Sequence, residues 1–110
     1  LDILEMQLKE IFTSIATKKT VVIAYEPVWA IGSGKTPSTV EVNNIHQHIK
    51  DIVQSIANIE AINVIYGGSV NCDNAKSFFQ QTNIDGALIG GASLDGKDFL
   101  GIYNDFMETL

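Results

Sequence analysis

The stretch Val21-Val22-Ile23-Ala24-Tyr25-Glu26-Pro27-Val28-Trp29-Ala30-Ile31-Gly32-Ser33-Gly34-Lys35-Thr36 passes from a β-branched run into a glycine-bearing loop. The run Val21-Val22-Ile23 reads as a buried parallel strand. Glu26 then stands where the strand ends, and Pro27 directs the chain away from it. The loop beyond holds an apolar Trp-Ala-Ile patch, Gly32, Gly34 and Lys35. Such a loop can bend, shed water and approach an anion closely. A carboxylate at a strand's carboxyl end under that loop suggests a general base beneath a mobile lid. A solvated glutamate on an ordinary glycine-rich connection fits the same residues equally well.

Working outward, strands and helices alternate along the chain. Leu1, Leu4, Leu8, Ile11, Phe12 and Ile15 recur at spacings of three and four, which predicts an amphipathic helix over residues 1 to about 17. Leu1 already belongs to that stripe, so the helix is expected to be cut by the chain boundary. Lys18-Lys19 closes it with positive charge at its negative pole. After the Glu26 loop, Ser38-Thr39-Val40-Glu41 fits a capping box. It opens a helix to about Ala57 with Val42, Ile45, Ile49, Ile52, Val53 and Ile56 on one face. His46 and His48 are two residues apart, point different ways on a helix and cannot share a metal. Both are expected at the surface or its boundary.

A second strand, Ile62 to Tyr66, opens into Gly67-Gly68-Ser69. Asn71 to Asp73 offer side-chain oxygens to a short helix through Ala75, Phe78 and Phe79. A third strand, Gly86 to Ile89, opens into Gly90-Gly91-Ala92-Ser93. A last helix from about Lys97 carries Leu100, Tyr103, Phe106, Met107 and Leu110. One helix followed by three strand–loop–helix units implies right-handed crossovers and a parallel sheet.

Composition narrows the function classes. The 110 residues are 45% hydrophobic and 18% charged, a globular balance within the size of one domain. Seven Lys and Arg against 13 Asp and Glu give a net charge of −6, which argues against a general nucleic-acid or membrane-surface binder. Cys72 is the single cysteine, best read as a small filler, and a reducing compartment is the default. No run approaches the ~20 apolar residues of a membrane span. No signal-peptide pattern is present, and a first residue of Leu rather than Met suggests that the natural start lies elsewhere.

All three strands end in glycine-bearing loops, and parallel strands bring those ends to one side, where ligands bind in α/β folds. Gly32, Gly67-Gly68 with Ser69, and Gly90-Gly91 can converge backbone amides on one anion, and a phosphate suits such a nest. Other chemistries fail on spacing. Gly34-Lys35-Thr36 would need glycine at Trp29 to form a nucleotide-binding P-loop, and the dinucleotide pattern would need glycine at Pro37. No Cys or His pair has metal-ligand spacing. The nucleophile turn G-x-S-x-G is absent.

Three segments together resemble the triosephosphate isomerase family. They are Ala24 to Gly32 with Gly34-Lys35-Thr36, Tyr66-Gly67-Gly68-Ser69-Val70, and Asp85-Gly86 through Ile89-Gly90-Gly91-Ala92-Ser93-Leu94. They stand in the family's order and spacing, and the match covers essentially the whole chain. The resemblance implies an α/β fold, the parallel (β/α)8 barrel. Residues 1–110 would be the C-terminal part of that single domain, an α-(βα)3 portion from the fifth helix through the eighth unit. It implies cofactor-free and metal-free interconversion of dihydroxyacetone phosphate and glyceraldehyde 3-phosphate, a step of glycolysis and gluconeogenesis.

By the same resemblance Glu26 is the base, and Pro27 to about Pro37 is the lid. The amides of Gly32, Ser69 and Gly91 hold the substrate phosphate, and Gly90 allows its close approach. Lys35 belongs to the lid and is not the family's catalytic lysine. The implied partners are the triose phosphate, a second copy in a homodimer and the N-terminal part of the barrel, with no nucleic acid or membrane, in the cytoplasm.

The sequence also departs from the family. Its lysine at the end of the first barrel strand and its histidine at the end of the fourth have no counterpart here, and neither His46 nor His48 stands in a matching position. Gly32-Ser33-Gly34 replaces a common Gly-Thr-Gly. Pro37 lacks the N–H to which Tyr66 bonds in many members, although Ser69 can still meet the lid near Gly34. The 110 residues alone are therefore expected to be inactive. The alternative is a stand-alone phosphate-binding half barrel without catalysis.

Overall fold

A computed structural model describes residues 2–14, 20–27, 37–57, 59 and 61–110. The order is α1 (Asp2–Ser14), β1 (Thr20–Tyr25), α2 (Thr39–Ile56), β2 (Ala61–Tyr66), α3 (Ala75–Phe79), β3 (Gly86–Ala87), a 3₁₀ turn (Gly91–Leu94) and α4 (Gly96–Glu108). The three strands form one parallel sheet in the order β1-β2-β3. Thr20 pairs with Ala61 and Tyr25 with Tyr66, so β1 and β2 end level.

The alternation expected of strands is present, and it separates the two faces of the sheet. Val21, Ile23 and Tyr25 of β1 are half-buried, whereas Thr20, Val22 and Ala24 are exposed, Val22 at 62%. In β2, Val64 and Tyr66 are buried on the face that carries the helices. One apolar cluster joins Leu8 and Phe12 of α1 to Ile49, Ile52 and Val53 of α2, with Ile59 and Val64. A second joins Val42 of α2 to Tyr66, Val70, Ala75, Phe78, Phe79, Ile84 and Ile102. Tyr66 stacks on Phe78 with centroids 4.4 Å apart, and Phe106 of α4 meets the edge of Phe79 at 5.1 Å.

Several expectations need correction. The third strand is two residues long instead of four. Gly86 and Ala87 lie opposite Ile65 and Tyr66, and β2 ends there, so Leu88 and Ile89 have no residue to pair with. Two further bonds extend the ladder, from Asp85 N–H to the Val64 carbonyl at 3.0 Å and from Leu88 N–H to the Tyr66 carbonyl at 2.9 Å. On α4 the buried residue is Ile102, flanked by half-buried Phe106, while Leu100, Tyr103 and Met107 are exposed, as is Leu110 beyond its end. A helix resting on one short α3 can cover only the narrow part of its apolar stripe that faces it. Ile11 of α1 is likewise about half exposed, because Leu4, Leu8 and Phe12 form a straight i, i+4 row beside it. Leu1, Ile15 and Lys18-Lys19 lie outside the described residues.

The caps follow the sequence more closely. Ser38 Oγ accepts from Glu41 N–H at 3.1 Å, the forward half of the capping box. Before α3, Asn71 Oδ1 accepts from the N–H groups of Asp73 and Asn74, so it orders the turn rather than capping the helix itself. Asp95 caps α4 through Lys97 and Asp98 N–H.

Asp85 joins sheet and helix by charge. Its Oδ2 accepts from Val64 N–H at 2.8 Å and lies 3.0 Å from Lys50 Nζ on α2, with both side chains about three-quarters covered. Asp85→Ala leaves a backbone donor and an ammonium unsatisfied, and should cost about 1–3 kcal/mol. Urea unfolding of the two chains measures it; an unchanged midpoint with an unchanged slope would show that water replaces the carboxylate without loss.

Candidate active site

Parallel pairing brings the ends of all three strands to one side of the sheet. Glu26 follows β1 directly and its side chain is exposed, while Pro27 is buried and fixes the chain's exit. Ser69 follows β2 and is exposed; Gly90 and Gly91 follow β3 and are exposed. The structure therefore sets Glu26, Ser69, Gly90 and Gly91 at the same end in the order of their strands. Gly32, Gly34 and Lys35, with the rest of the loop at 28–36, lie outside the described residues.

The β2 loop is fastened from three directions. Gly67 N–H donates to the Tyr25 carbonyl at 2.8 Å, carrying the β1–β2 pairing one residue past the strand. A Cβ on Gly67 would come 3.2 Å from that carbonyl oxygen and 3.6 Å from Glu26 Cβ and Cγ. A side chain there would crowd the Tyr25 carbonyl and sit in contact with the glutamate. A Cβ on Gly68 would fall inside the phenol of Tyr66, whose ring is held by its stack on Phe78. Asn74 Nδ2 donates to the Ser69 carbonyl at 3.0 Å, and Asn74 Oδ1 accepts from Asn71 N–H at 2.9 Å. Ser69 is thus held by a side chain that the sequence did not single out.

The β3 loop differs. A Cβ on Gly90 or Gly91 would meet nothing within 4 Å, and Gly90 has φ −88°. Neither packing nor a left-handed backbone asks for glycine at these two places. What the missing Cβ provides is open space in front of the backbone, which suits the approach of a ligand. Ser93 closes the turn behind them, with its N–H and hydroxyl both donating to the Gly90 carbonyl at 3.0 and 2.6 Å.

A cleft of about 500 Å³ adjoins Glu26, lined by Ile3, Leu4 and Gln7 of α1, Ile23 to Pro27, and Ile45 and Ile49 of α2. It lies along the free edge of β1, and Ser69, Gly90 and Gly91 are not part of its lining. A second cleft, of about 250 Å³, lies between the sheet and α4; its lining is mainly apolar, from Ile65 of β2 to Phe106 of α4, with Tyr103 the one polar side chain among the described residues that line it.

The histidines separate. His48 is partly exposed, as expected, but His46 is fully buried, against expectation. Its position was legible: it lies four residues after Val42 and three before Ile49, on the apolar stripe itself. Nδ1 stands 3.2 Å from the Asn83 carbonyl and the ring meets Tyr25 edge-on with centroids 5.8 Å apart. Burial pushes its pKa below the usual 6.5, against the opposing pull of the Asn83 carbonyl and Asp85. Burial also raises the Tyr66 phenol. Cys72 lies at the surface with Sγ 3.4 Å from the Asp98 carbonyl. Desolvation against α4, then the carboxylates of Asp98, Asp105 and Asp73, push this thiol up, away from the reactive thiolate.

An α-(βα)3 chain with glycine loops gathered at the carboxyl ends of parallel strands is a portion of a parallel (β/α)8 barrel, whose site lies on that side. The triosephosphate isomerase family model matches residues 1–106. A triosephosphate isomerase of Psychrobacter cryohalolentis is 48% identical over 104 residues, covering 94% of this chain and 38% of its own. One of Rhizobium meliloti is 47% identical over 110 residues, covering 98% of this chain and 43% of its own. One of Legionella pneumophila is 53% identical over 83 residues, 74% of this chain and 33% of its own. The chain belongs to the triosephosphate isomerase family, and it spans about two-fifths of the length of the first two of these relatives.

Gly68→Ala tests the close packing at the β2 loop. A methyl group set against a ring that cannot retreat should cost about 1–3 kcal/mol, whereas Gly91→Ala, facing open space, should be nearly neutral. Thermal melts of the two variants give the order; equal losses would mean that Tyr66 leaves its stack easily.

Proposed function

We propose that this chain forms the C-terminal part of a single barrel domain that interconverts dihydroxyacetone phosphate and glyceraldehyde 3-phosphate. The observation that carries this reading is an exposed carboxylate, Glu26, at the same end of a parallel sheet as two glycine-bearing loops, in a chain of this family. Glu26 takes a proton from one carbon of the triose phosphate and returns it to the next, passing through an enediolate. The amides of Gly32, Ser69 and Gly91 hold the phosphate, with Gly90 clearing its approach, and the lid from Pro27 to about Pro37 excludes water. No cofactor or metal is needed for this proton transfer. The N-terminal part of the same barrel supplies the electrophile and the lysine, a second copy completes a homodimer, and the setting is the cytoplasm.

The open face of the sheet supports this arrangement. Val22, Ala24 and Leu88 are exposed where a closed barrel would bury them. The 110 residues alone should therefore show no appreciable isomerisation and only marginal stability. A monomer that unfolds cooperatively and turns over substrate would defeat that expectation.

Two comparisons test the site, both made on this chain joined to the N-terminal barrel segment of a relative. Glu26→Gln should lower kcat by at least about 10²-fold with little change in melting temperature; near-normal turnover removes Glu26 from the role of base. Gly91→Val should weaken inhibition by a substrate-like phosphate more than Lys35→Met does. The reverse order would place the phosphate on a side chain instead of the backbone. Phosphate binding by the isolated chain without isomerisation by the joined one would favour a binding module.

A further inference from the structure

His46 occupies a seam between the two apolar clusters. Val42, one turn before it on α2, belongs to the cluster built on Tyr66 and Phe78, and Ile49, one turn after it, belongs to the cluster with Leu8 and Phe12. Along the same side of α2 runs a row of polar residues, Asn43, His46 and Lys50, and each meets the segment that leads into β3. Asn43 Oδ1 accepts from Asn83 N–H at 2.8 Å, His46 Nδ1 faces the Asn83 carbonyl at 3.2 Å, and Lys50 pairs with Asp85. Both polar groups of the Asn83 backbone are thus met by one helix. The other side of the His46 ring touches Tyr25, the residue immediately before Glu26.

Only one protonation state fits these contacts. A carbonyl opposite Nδ1 requires a proton there, so in the neutral ring Nε2 is bare. Nε2 is buried and meets no hydrogen-bond partner among the described residues. A bare aromatic nitrogen is tolerable in that setting, but a charged N–H is not.

We propose that His46 is a positioning residue that fastens the Glu26 end of β1 to the segment entering β3, and that it does so only as the neutral ring protonated at Nδ1. Protonation at Nε2 gives the imidazolium a second donor, and the carbonyl that faces the ring from β2, that of Val64, makes no hydrogen bond with Nε2 and already accepts from Asp85 N–H, so the ring must turn or leave to satisfy it. Either movement gives up the Tyr25 contact, the Asn83 contact or both. The groups facing the ring are Tyr25 from β1, the Val64 carbonyl from β2, the Asn83 carbonyl and Asp85 from the segment before β3, and Lys50 from α2 itself. Asp85 is already held by Lys50 and Val64 N–H, so it is not free to turn toward an imidazolium.

The sign of the pH effect follows. The folded ring resists protonation more than the unfolded ring, so the unfolded chain binds the extra proton first. The contribution to stability is complete well above pH 6.5, is lost progressively as pH falls below that ordinary value, and stops changing once the folded ring itself has titrated. The fastening fails at that lower point.

The functional weight of this inference rests on the reading of Glu26 as the base, but its test does not use turnover. This chain, joined to the N-terminal barrel segment of a relative and labelled with ¹⁵N, is titrated from pH 8 to pH 4.5 by NMR. The expected result is a neutral His46 with Nδ1 protonated at the upper end. It should titrate below the ordinary histidine value, and the amides of Tyr25, Glu26 and Asn83 should move with the same midpoint. In His46→Asn, which keeps a side-chain N–H donor near the Nδ1 position and removes the ring, the pH-linked movement at Tyr25 and Glu26 should be lost. A proton on Nε2 at pH 8, an ordinary His46 titration, stationary Glu26 and Tyr25 amides, or movement that persists in His46→Asn each overturns the proposal. So does a spectrum without dispersion at pH 8, because a buried ring is its premise. Failure of Glu26→Gln to slow the reaction would leave these results standing and remove only their catalytic meaning.

Discussion

The parallel register of β1 and β2 is the constraint on which the rest depends. Six residues pair in step from Thr20 with Ala61 to Tyr25 with Tyr66, and the Gly67 bond to the Tyr25 carbonyl carries the pairing into the loop. A slip of one residue would turn Val21, Ile23 and Tyr25 away from the helices and set Val22 and Ala24 against them. Because the strands end level, Glu26 and Gly67 emerge as neighbours, close enough that a side chain on the glycine would touch the glutamate. Glu26 and the β2 loop are thereby located by backbone hydrogen bonds before any side-chain contact is considered.

The helices add the second dimension. Two apolar clusters cover one face of the sheet, and α2 contributes to both. Apolar contact is non-directional, so it presses the layers together without fixing how far one element has slid along another. The polar row of Asn43, His46 and Lys50 supplies direction, because each contact with Asn83 and Asp85 has one geometry. That row sets the approach to β3, and hence the start of the Gly90-Gly91 loop. With only Gly86 and Ala87 paired to β2, the sheet ladder alone holds this approach weakly.

Glycine serves different purposes in the two described loops. At Gly68 the Tyr66 ring excludes a side chain, and at Gly67 a Cβ would sit tightly against the Tyr25 carbonyl. At Gly90 and Gly91 a Cβ would meet no neighbour within 4 Å. The sequence shows two identical Gly-Gly pairs, and only the neighbours in space separate a packing requirement from an open approach.

The sequence by itself determined the α-(βα)3 order, the parallel sheet, the Ser38–Glu41 cap and the gathering of Glu26, Ser69, Gly90 and Gly91 at the strand ends, and its motifs pointed to the triosephosphate isomerase family. These features are local in origin: hydrophobic period, capping residues and glycines beside strand ends act over a few residues. The length of β3 and the exposure of Leu100, Tyr103 and Met107 were decided by tertiary structure, because each depends on how far a partner element reaches. The burial of His46 was decided in the same way. Its place on the stripe could be read from its spacing to Val42 and Ile49, but a polar ring is stable there only because Asn83, 37 residues later, brings a carbonyl to Nδ1. A hydrogen bond across that separation leaves no pattern in the residues on either side of it.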